Sequence, residues 1–293
     1  MKPAPFEYVL AASVDEVTQF LACSKGEAII LAGGQTLMPM LSMRLARPDL
    51  VIDINEISEL SGIEDLGEKV IIRAGTRQVL ALNSPIVAAR LPLLHKGLNF
   101  VGHLQTRNRG TVGGSIAHAD PSAEIPLVAL TLGAEVELES VRGRRRIPIK
   151  DFIVGPLMTA READELLIAI HFPTSDENVS IGTSFREVSE RHGDFAVVAV
   201  AAHLTFDGAI CTNAAVAFGG VDNTPVRIPQ LEKTLVGQTL FPDIPAEALD
   251  LITDAISPST DQHGTASYRR RVARELAARA IEEAAIGGRG RNR

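Results

Sequence analysis

Two short segments carry the residue types best suited to chemistry. The first is Ala32-Gly33-Gly34-Gln35-Thr36, directly after the apolar run Ala28–Leu31, and the second is Thr111-Val112-Gly113-Gly114-Ser115. Each joins paired glycines to side chains that hydrogen-bond. Glycine has no Cβ, so its backbone can approach an anion closely and take φ > 0. Successive free N–H groups then form a nest that suits phosphate. Gln35, Thr36, Thr111 and Ser115 could add side-chain hydrogen bonds. Either segment alone reads equally well as a turn, because glycine dominates turns. Two of them, both flanking strand-like runs in one part of the chain, point to a diphosphate and hence to a dinucleotide.

Other chemistries lack their residues. GxGxxG and GxxxxGK[ST] are absent, which argues against a standard nicotinamide site and against an ATPase. HExxH, H-x-x-E-H and GxSxG are absent as well, so neither zinc hydrolysis nor a nucleophile elbow is expected. His118 and Asp120 invite a metal reading, but a metal needs three or four converging ligands, and structuring of their loop is the better expectation. Arg107 and Arg109 either neutralise phosphate or lie in a solvated loop. Arg142, Arg144, Arg145 and Arg146 are expected on an exposed hairpin, facing Glu135, Glu137 and Glu139 across the strands. The only cysteines, Cys23 and Cys211, are expected to pack. Two thiols cannot hold an iron–sulfur cluster, which takes four.

Composition sets the frame for these residues. The chain has 293 residues, 45% hydrophobic and 22% charged, with a net charge of −7. That is the balance of a soluble globular protein of roughly two domains. An acidic chain is a poor general binder of nucleic acid. The apolar runs are too short for a transmembrane segment, and Glu7, Asp15 and Glu16 break up any signal region, so a cytoplasmic location is expected.

The elements that must position the two segments follow from pattern. Ser13 and Glu16 have capping-box spacing ahead of Val14, Val17 and Leu21 at helical spacing. Strands are predicted over 28–31, 50–54, 70–74 and 166–172, and a short helix over 37–45. Ser84-Pro85 opens another helix. Residues 134–139 alternate and turn at Gly143 into a hairpin. PTSDENVSIG, residues 173–182, is the linker-like stretch. Beyond it, Ala196–Phe206 and Ala209–Phe218 meet at Asp207-Gly208, a strong hairpin signal. Helices are predicted over 229–236, 245–256 and 266–285. The second domain should be an antiparallel sheet covered by helices on one face, and the Gly/Arg-rich end a frayed tail.

Four stretches carry a resemblance. LAGGQTLMPMLSMRLARPDLVIDINEI, TRNRGTVGGSIAHADPSAEIPLVALTLGAEVEL, FREVSERHGDFAVVAVAAHL and DQHGTASYRRRVARELAARA resemble the FAD-binding medium subunits of carbon monoxide dehydrogenases. They also resemble the FAD-binding subunit or module of xanthine dehydrogenases. The resemblance implies an α+β fold: a two-part FAD-binding domain of the PCMH type at 1–175, with subdomains of about 1–55 and 56–175. A C-terminal α+β domain at 180–287 and a flexible tail at 288–293 complete it. It further implies a molybdenum hydroxylase whose large subunit holds the molybdenum cofactor and whose small subunit holds two [2Fe–2S] clusters, assembled as a dimer of heterotrimers. This chain would bind FAD and pass electrons from the clusters to quinone, NAD or dioxygen. No catalytic residue and no metal ligand is expected in it.

By the same resemblance, Ala32, Gly33, Gly34, Gln35 and Thr36 form the first FAD loop, and Thr111, Val112, Gly113, Gly114 and Ser115 the second, with backbone amides on the diphosphate. Glu124 falls where xanthine dehydrogenases have an aspartate on the adenosine side. Leu167 matches an apolar contact to the cofactor. Arg186 stands where a lysine lies beside it, and Glu187–Phe195 corresponds to a loop near the flavin ring, where His192 and Asp194 could tune it. Tyr268-Arg269 matches a structural pair. The residues alone leave two alternatives, a stand-alone FAD-dependent oxidase and a non-catalytic binding or assembly protein.

Overall fold

The computed structural model describes residues 2–175 and 179–289. The first unit is a small parallel sheet. β1 (Glu7–Leu10) leads into α1 (Val14–Cys23), β2 (Ala28–Leu31), α2 (Leu37–Ser42) and β3 (Leu50–Asp53). β3 is central, and β1 and β2 pair with it in parallel, Glu7 and Ala28 both aligned with Leu50. Ser13 caps α1 as predicted: its Oγ accepts from the Glu16 N–H at 3.2 Å, and the Glu16 carboxylate accepts from the Ala12 N–H at 2.7 Å. Val14, Val17 and Leu21 bury the apolar stripe of α1 with Ile52, Leu166 and Ile168. Cys23 ends α1 exposed, so it does not pack as expected, whereas Cys211 is buried.

The second unit contains β4 (Ile63–Asp65), β5 (Lys69–Arg73) and then six helices: α3 (Gln78–Leu82), α4 (Pro85–Arg90), α5 (Pro92–Leu98), α6 (Leu104–Arg109), α7 (Val112–His118) and α8 (Glu124–Leu132). Next come β6 (Glu135–Ser140), β7 (Gly143–Pro148), α9 (Ile149–Phe152), a ribbon of β8 (Ile153–Gly155) with β9 (Met158–Thr159), and β10 (Leu166–Pro173). The antiparallel sheet runs β4-β5-β10-β6-β7. The predicted hairpin is β6–β7, with Glu137 opposite Arg146 and Glu139 opposite Arg144. Arg144 pairs with Glu139 at 3.0 Å, but Arg142 and Arg145 turn to Glu162, Asp164 and Glu165 instead. Glu137 is not on a solvated face: it is buried against His171 on β10.

The third unit has β11 (Ser180–Val188), β12 (Val198–Asp207), β13 (Ile210–Gly219) and β14 (Val226–Arg227), followed by α10 (Pro229–Leu235), α11 (Ala246–Ala255) and α12 (Ala266–Arg289). The sheet is antiparallel in chain order, and the β12–β13 hairpin turns at Gly208-Ala209, one residue after the predicted Asp207-Gly208, because Asp207 pairs with Ile210. α12 continues through Gly287 and Gly288, past the predicted helix end at 285 and into the tail expected at 288–293; residues 290–293 lie outside the described residues, as do 176–178 of the linker-like stretch.

Along β12, Val198, Val200, Ala202 and Leu204 face α10–α12, while Ala199 and Ala201 face the core of the second unit. The sheet is therefore covered on both faces, with α5 and α8 on the side the sequence left open. That explains why 196–206 is apolar without alternation, since a strand buried on both faces has no polar side. α8 is likewise apolar around its whole circumference because it sits between α5 and the β12–β13 hairpin.

Candidate functional site

The two glycine segments meet. A Cβ on Gly33 would lie 2.5 Å from the Arg109 carbonyl oxygen and 2.8 Å from Gly110 Cα, so only glycine allows this approach. Gly113 backs equally closely onto the end of β5, where an added Cβ would stand 2.6 Å from Ala74 Cα and 2.7 Å from its carbonyl oxygen. Between the segments lies a cavity of about 550 Å³, within the usual size range of ligand pockets. All the residues singled out for the cofactor line it except Val112 and Arg186.

The segments differ in what they offer. The N–H groups of Gly33, Gly34, Gln35 and Thr36 have no protein acceptor among the described residues, and Gly34 holds φ +72°. The first segment is thus an open nest. The second is the start of α7, with Thr111 as its cap. Val112 N–H donates to the Thr76 carbonyl at 2.9 Å, Gly113 N–H to Ala74 at 2.9 Å, and Ser115 N–H to Thr111 at 3.2 Å. Gly114 N–H donates to the Thr111 hydroxyl at 3.0 Å. The expectation of backbone amides on a diphosphate from both segments therefore fits the first and leaves only the Thr111 N–H open in the second. What the second contributes is close backbone approach and the Ser115 side chain.

Val112 misses the cavity because, as first residue of α7, it is fully buried in the core of the second unit. Arg186 misses it by strand alternation. Its neighbour Phe185 faces the second unit, so Arg186 faces α12, where it pairs with Glu283 at 2.9 Å. Leu167 is buried on β10 and lines the cavity. Arg107 braces a turn, donating to the Val101 and Gly102 carbonyls at 2.8 and 2.9 Å; neither it nor Arg109 lines the cavity.

Glu124 opens α8, is 5% exposed and lines the cavity. Burial pushes its carboxyl up to about 7, with the Asp120 charge adding to the effect. Glu187, on β11, has both carboxylate oxygens shielded and without a hydrogen-bond partner among the described residues. Burial, then the Glu124 charge, raises it to about 8. Two carboxyls from two units thus hold protons near neutrality, Glu124 at the cavity wall and Glu187 close enough to feel its charge.

In the 189–195 loop, Gly193 (φ +88°) rests on His103 and Gly102 and lines the cavity together with the exposed Phe195. His192 instead turns edge-on to Phe100, with ring centroids 6.4 Å apart, and Asp194 pairs with Arg191 at 2.9 Å. Sequence reasoning missed Gln78 and Arg161, which also line the cavity. Gln78 Nε2 reaches the Thr111 carbonyl while its Oε1 is buried with no partner among the described residues. Arg161 Nη1 donates to the carbonyls of Glu162, Ala163 and Glu165, so its charge is fixed at the rim. Neither lies near a glycine signal, and each is brought in by the tertiary fold alone.

Comparison with known proteins places this geometry. A family profile described as the FAD binding domain in molybdopterin dehydrogenase matches residues 4–175, and one described as the CO dehydrogenase flavoprotein C-terminal domain matches residues 183–284. The 6-hydroxypseudooxynicotine dehydrogenase complex subunit alpha of Paenarthrobacter nicotinovorans is 36% identical, over 97% of this chain and 96% of its own length. Among solved structures, a chain of quinoline 2-oxidoreductase from Pseudomonas putida 86 is 36% identical, with TM-score 0.93 over 99% of this chain and 100% of that one. A chain of carbon monoxide dehydrogenase from Hydrogenophaga pseudoflava is 34% identical, with TM-score 0.93 over 97% of this chain and 98% of that one.

Proposed function

Because the chain belongs to the family of FAD-binding subunits of molybdopterin dehydrogenases, we propose that it is the electron-transfer medium subunit of a heteromeric molybdenum hydroxylase. FAD is its cofactor. The observation that carries the assignment is the open nest at Gly33–Thr36, pressed against Arg109-Gly110 at the wall of a cavity of about 550 Å³. The residues fit the group. The free amides suit the diphosphate, Thr111 and Ser115 add donors, and Leu167 supplies an apolar wall. When bound, the flavin exchanges electrons singly or in pairs, which suits a junction between metal clusters and a two-electron acceptor.

The chain's own task is then to bind, orient and shield. We assign cofactor contact to Ala32–Thr36, Thr111, Gly113–Ser115, Glu124 and Leu167, and divide the chain into a cofactor-binding part at 1–175 and a second part at 180–287. With two cysteines, the chain receives electrons from [2Fe–2S] clusters on a small subunit. Substrate chemistry lies on a molybdenum-bearing large subunit, and the proposed assembly is a dimer of heterotrimers in the cytoplasm. Among the described residues no helix is long and apolar enough to cross a membrane.

Purification of the chain with and without co-expressed partner subunits tests the reading. Flavin absorbance, with reduction only when the iron–sulfur partner is present, is the expected result. Reduction by small alcohols or amines without partners would mark a stand-alone oxidase. Absence of flavin under both conditions would leave a binding or assembly protein.

A further inference from the structure

Arg77 belongs to none of the motifs above, yet it stands where three segments of the chain converge. It is the N-cap of α3, with φ −64° and ψ 141°. Its Nη2 donates to Asn55 Oδ1 at 2.6 Å, and its Nη1 donates to the Arg109 carbonyl. Asn55 follows β3 and is itself held by Asp53, whose Oδ1 accepts from the Asn55 N–H at 2.9 Å and from its side-chain amide. The other Asp53 oxygen accepts from Tyr8 of β1 at 2.9 Å. The Arg109 carbonyl is the very oxygen against which Gly33 backs. One guanidinium therefore ties the first unit, through Asn55, to the atom that fixes the distance between the two glycine segments.

A second, smaller cavity of about 80 Å³ lies behind this contact. Asn55, Gly75 and Arg77 line it, and Ala32 and Thr111 line both it and the large cavity. The Arg77 charge is thus one layer of backbone away from the open nest. Burial and the neighbouring Arg109 charge disfavour that cation, while Asp53 favours it. A methionine of similar length would relieve the first two effects, but would leave the Arg109 carbonyl and Asn55 Oδ1 without their donor.

We propose that Arg77 is a positioning residue that sets the separation of the two glycine segments, and thereby the affinity for the cofactor's diphosphate. This deepens the FAD reading and rests on it. A planar fork can serve two acceptors on different segments at once, which a lysine ammonium on a flexible stem does poorly.

The experiment uses the full chain with FAD as ligand, read by flavin fluorescence and by the two phosphorus NMR resonances of the bound diphosphate. Wild type is measured first, alone and with its co-expressed partner subunits; absence of FAD uptake in both forms ends the functional reading and this proposal with it, and the variants are read in whichever form binds. Given binding, Arg77→Met is expected to weaken FAD affinity by about tenfold and to move the phosphorus resonances toward those of free FAD. Arg77→Lys should behave like Arg77→Met, since it keeps the charge but not the fork. If Arg77→Met fails to fold, Asn55→Ala, which removes one anchor of the strap, is read in the same two ways. Unchanged affinity, weakened affinity with unmoved phosphorus resonances, or full rescue by lysine would each overturn the proposal.

Discussion

A glycine of the second segment and one in the β6–β7 turn are constrained by different things, and substitution separates them. Gly113 backs onto Ala74, whose Cβ, Cα and O would lie 2.4, 2.6 and 2.7 Å from an added Cβ, so Gly113→Ala must shift β5 or α7. The expected loss is about 1–3 kcal/mol, with FAD uptake lost as well. Gly143→Ala, at φ +114° in open space, costs only backbone strain of about 1–3 kcal/mol and leaves FAD uptake intact. Thermal melts and flavin titration of both variants check this. The carboxyl pair gives a pH dependence. Glu124 and Glu187 keep protons in the folded chain, to about 7 and about 8, that an unfolded chain has already released. Stability therefore falls as pH rises from the ordinary carboxylate range through about 8. Glu187→Gln cannot ionise, so its melting temperature should drop less between mildly acidic and alkaline pH than that of wild type. At this scale the glycine segments were legible because paired glycines beside hydrogen-bonding side chains are rare enough to notice. Gln78, Arg161 and Arg77 were not, because nothing local marks them. Arg186 was read from its place in a motif, whereas its direction is decided by alternation along β11.

Among elements, strands β2, β3, β5, β6, β7, β10, β12 and β13 and the amphipathic helices α1 and α12 announced themselves by period and cap, whereas β1, β4 and β11 did not. In the run from α3 to α8 only α4 did, through the Ser84 cap and Pro85 at its first position. The helices of that run are five to nine residues long, too short to show a clear stripe, and α8 has no polar face to define one. The start of α7 reads as a loop in the sequence, since glycines at its first turn look like turn residues until Thr111 is seen to cap them. The C-terminal element offers a prediction of its own. Arg269, in the first turn of α12, is 5% exposed and donates to the carbonyls of Val197 and Gly220 and to Asp261, pinning the helix to the start of β12 and the end of β13. Arg269→Met strands those carbonyls and should lower stability by about 1–3 kcal/mol, seen as a lower melting temperature with FAD contacts untouched.

For the whole molecule, the linker-like stretch at 173–182 marks a change of sheet but not a gap in the core. Phe185, Ala196, Ala199, Ala201 and Ala217 belong to the same buried cluster as β5, β10 and α8. The composition signal reports local chain character, and cannot report that two sheets share α5 and α8. The chain should therefore melt in a single transition by calorimetry. A fragment containing only residues 180–293 should expose the apolar second face of its sheet and bind a hydrophobic dye. The unequal use of amide hydrogens by the two glycine segments has a last consequence, readable by isotope labelling. In deuterated water, cofactor uptake should slow the exchange of Gly33 to Thr36, whose hydrogens otherwise have no protein acceptor among the described residues. Those of Gly113 and Gly114 should exchange slowly from the outset, because the protein already engages them.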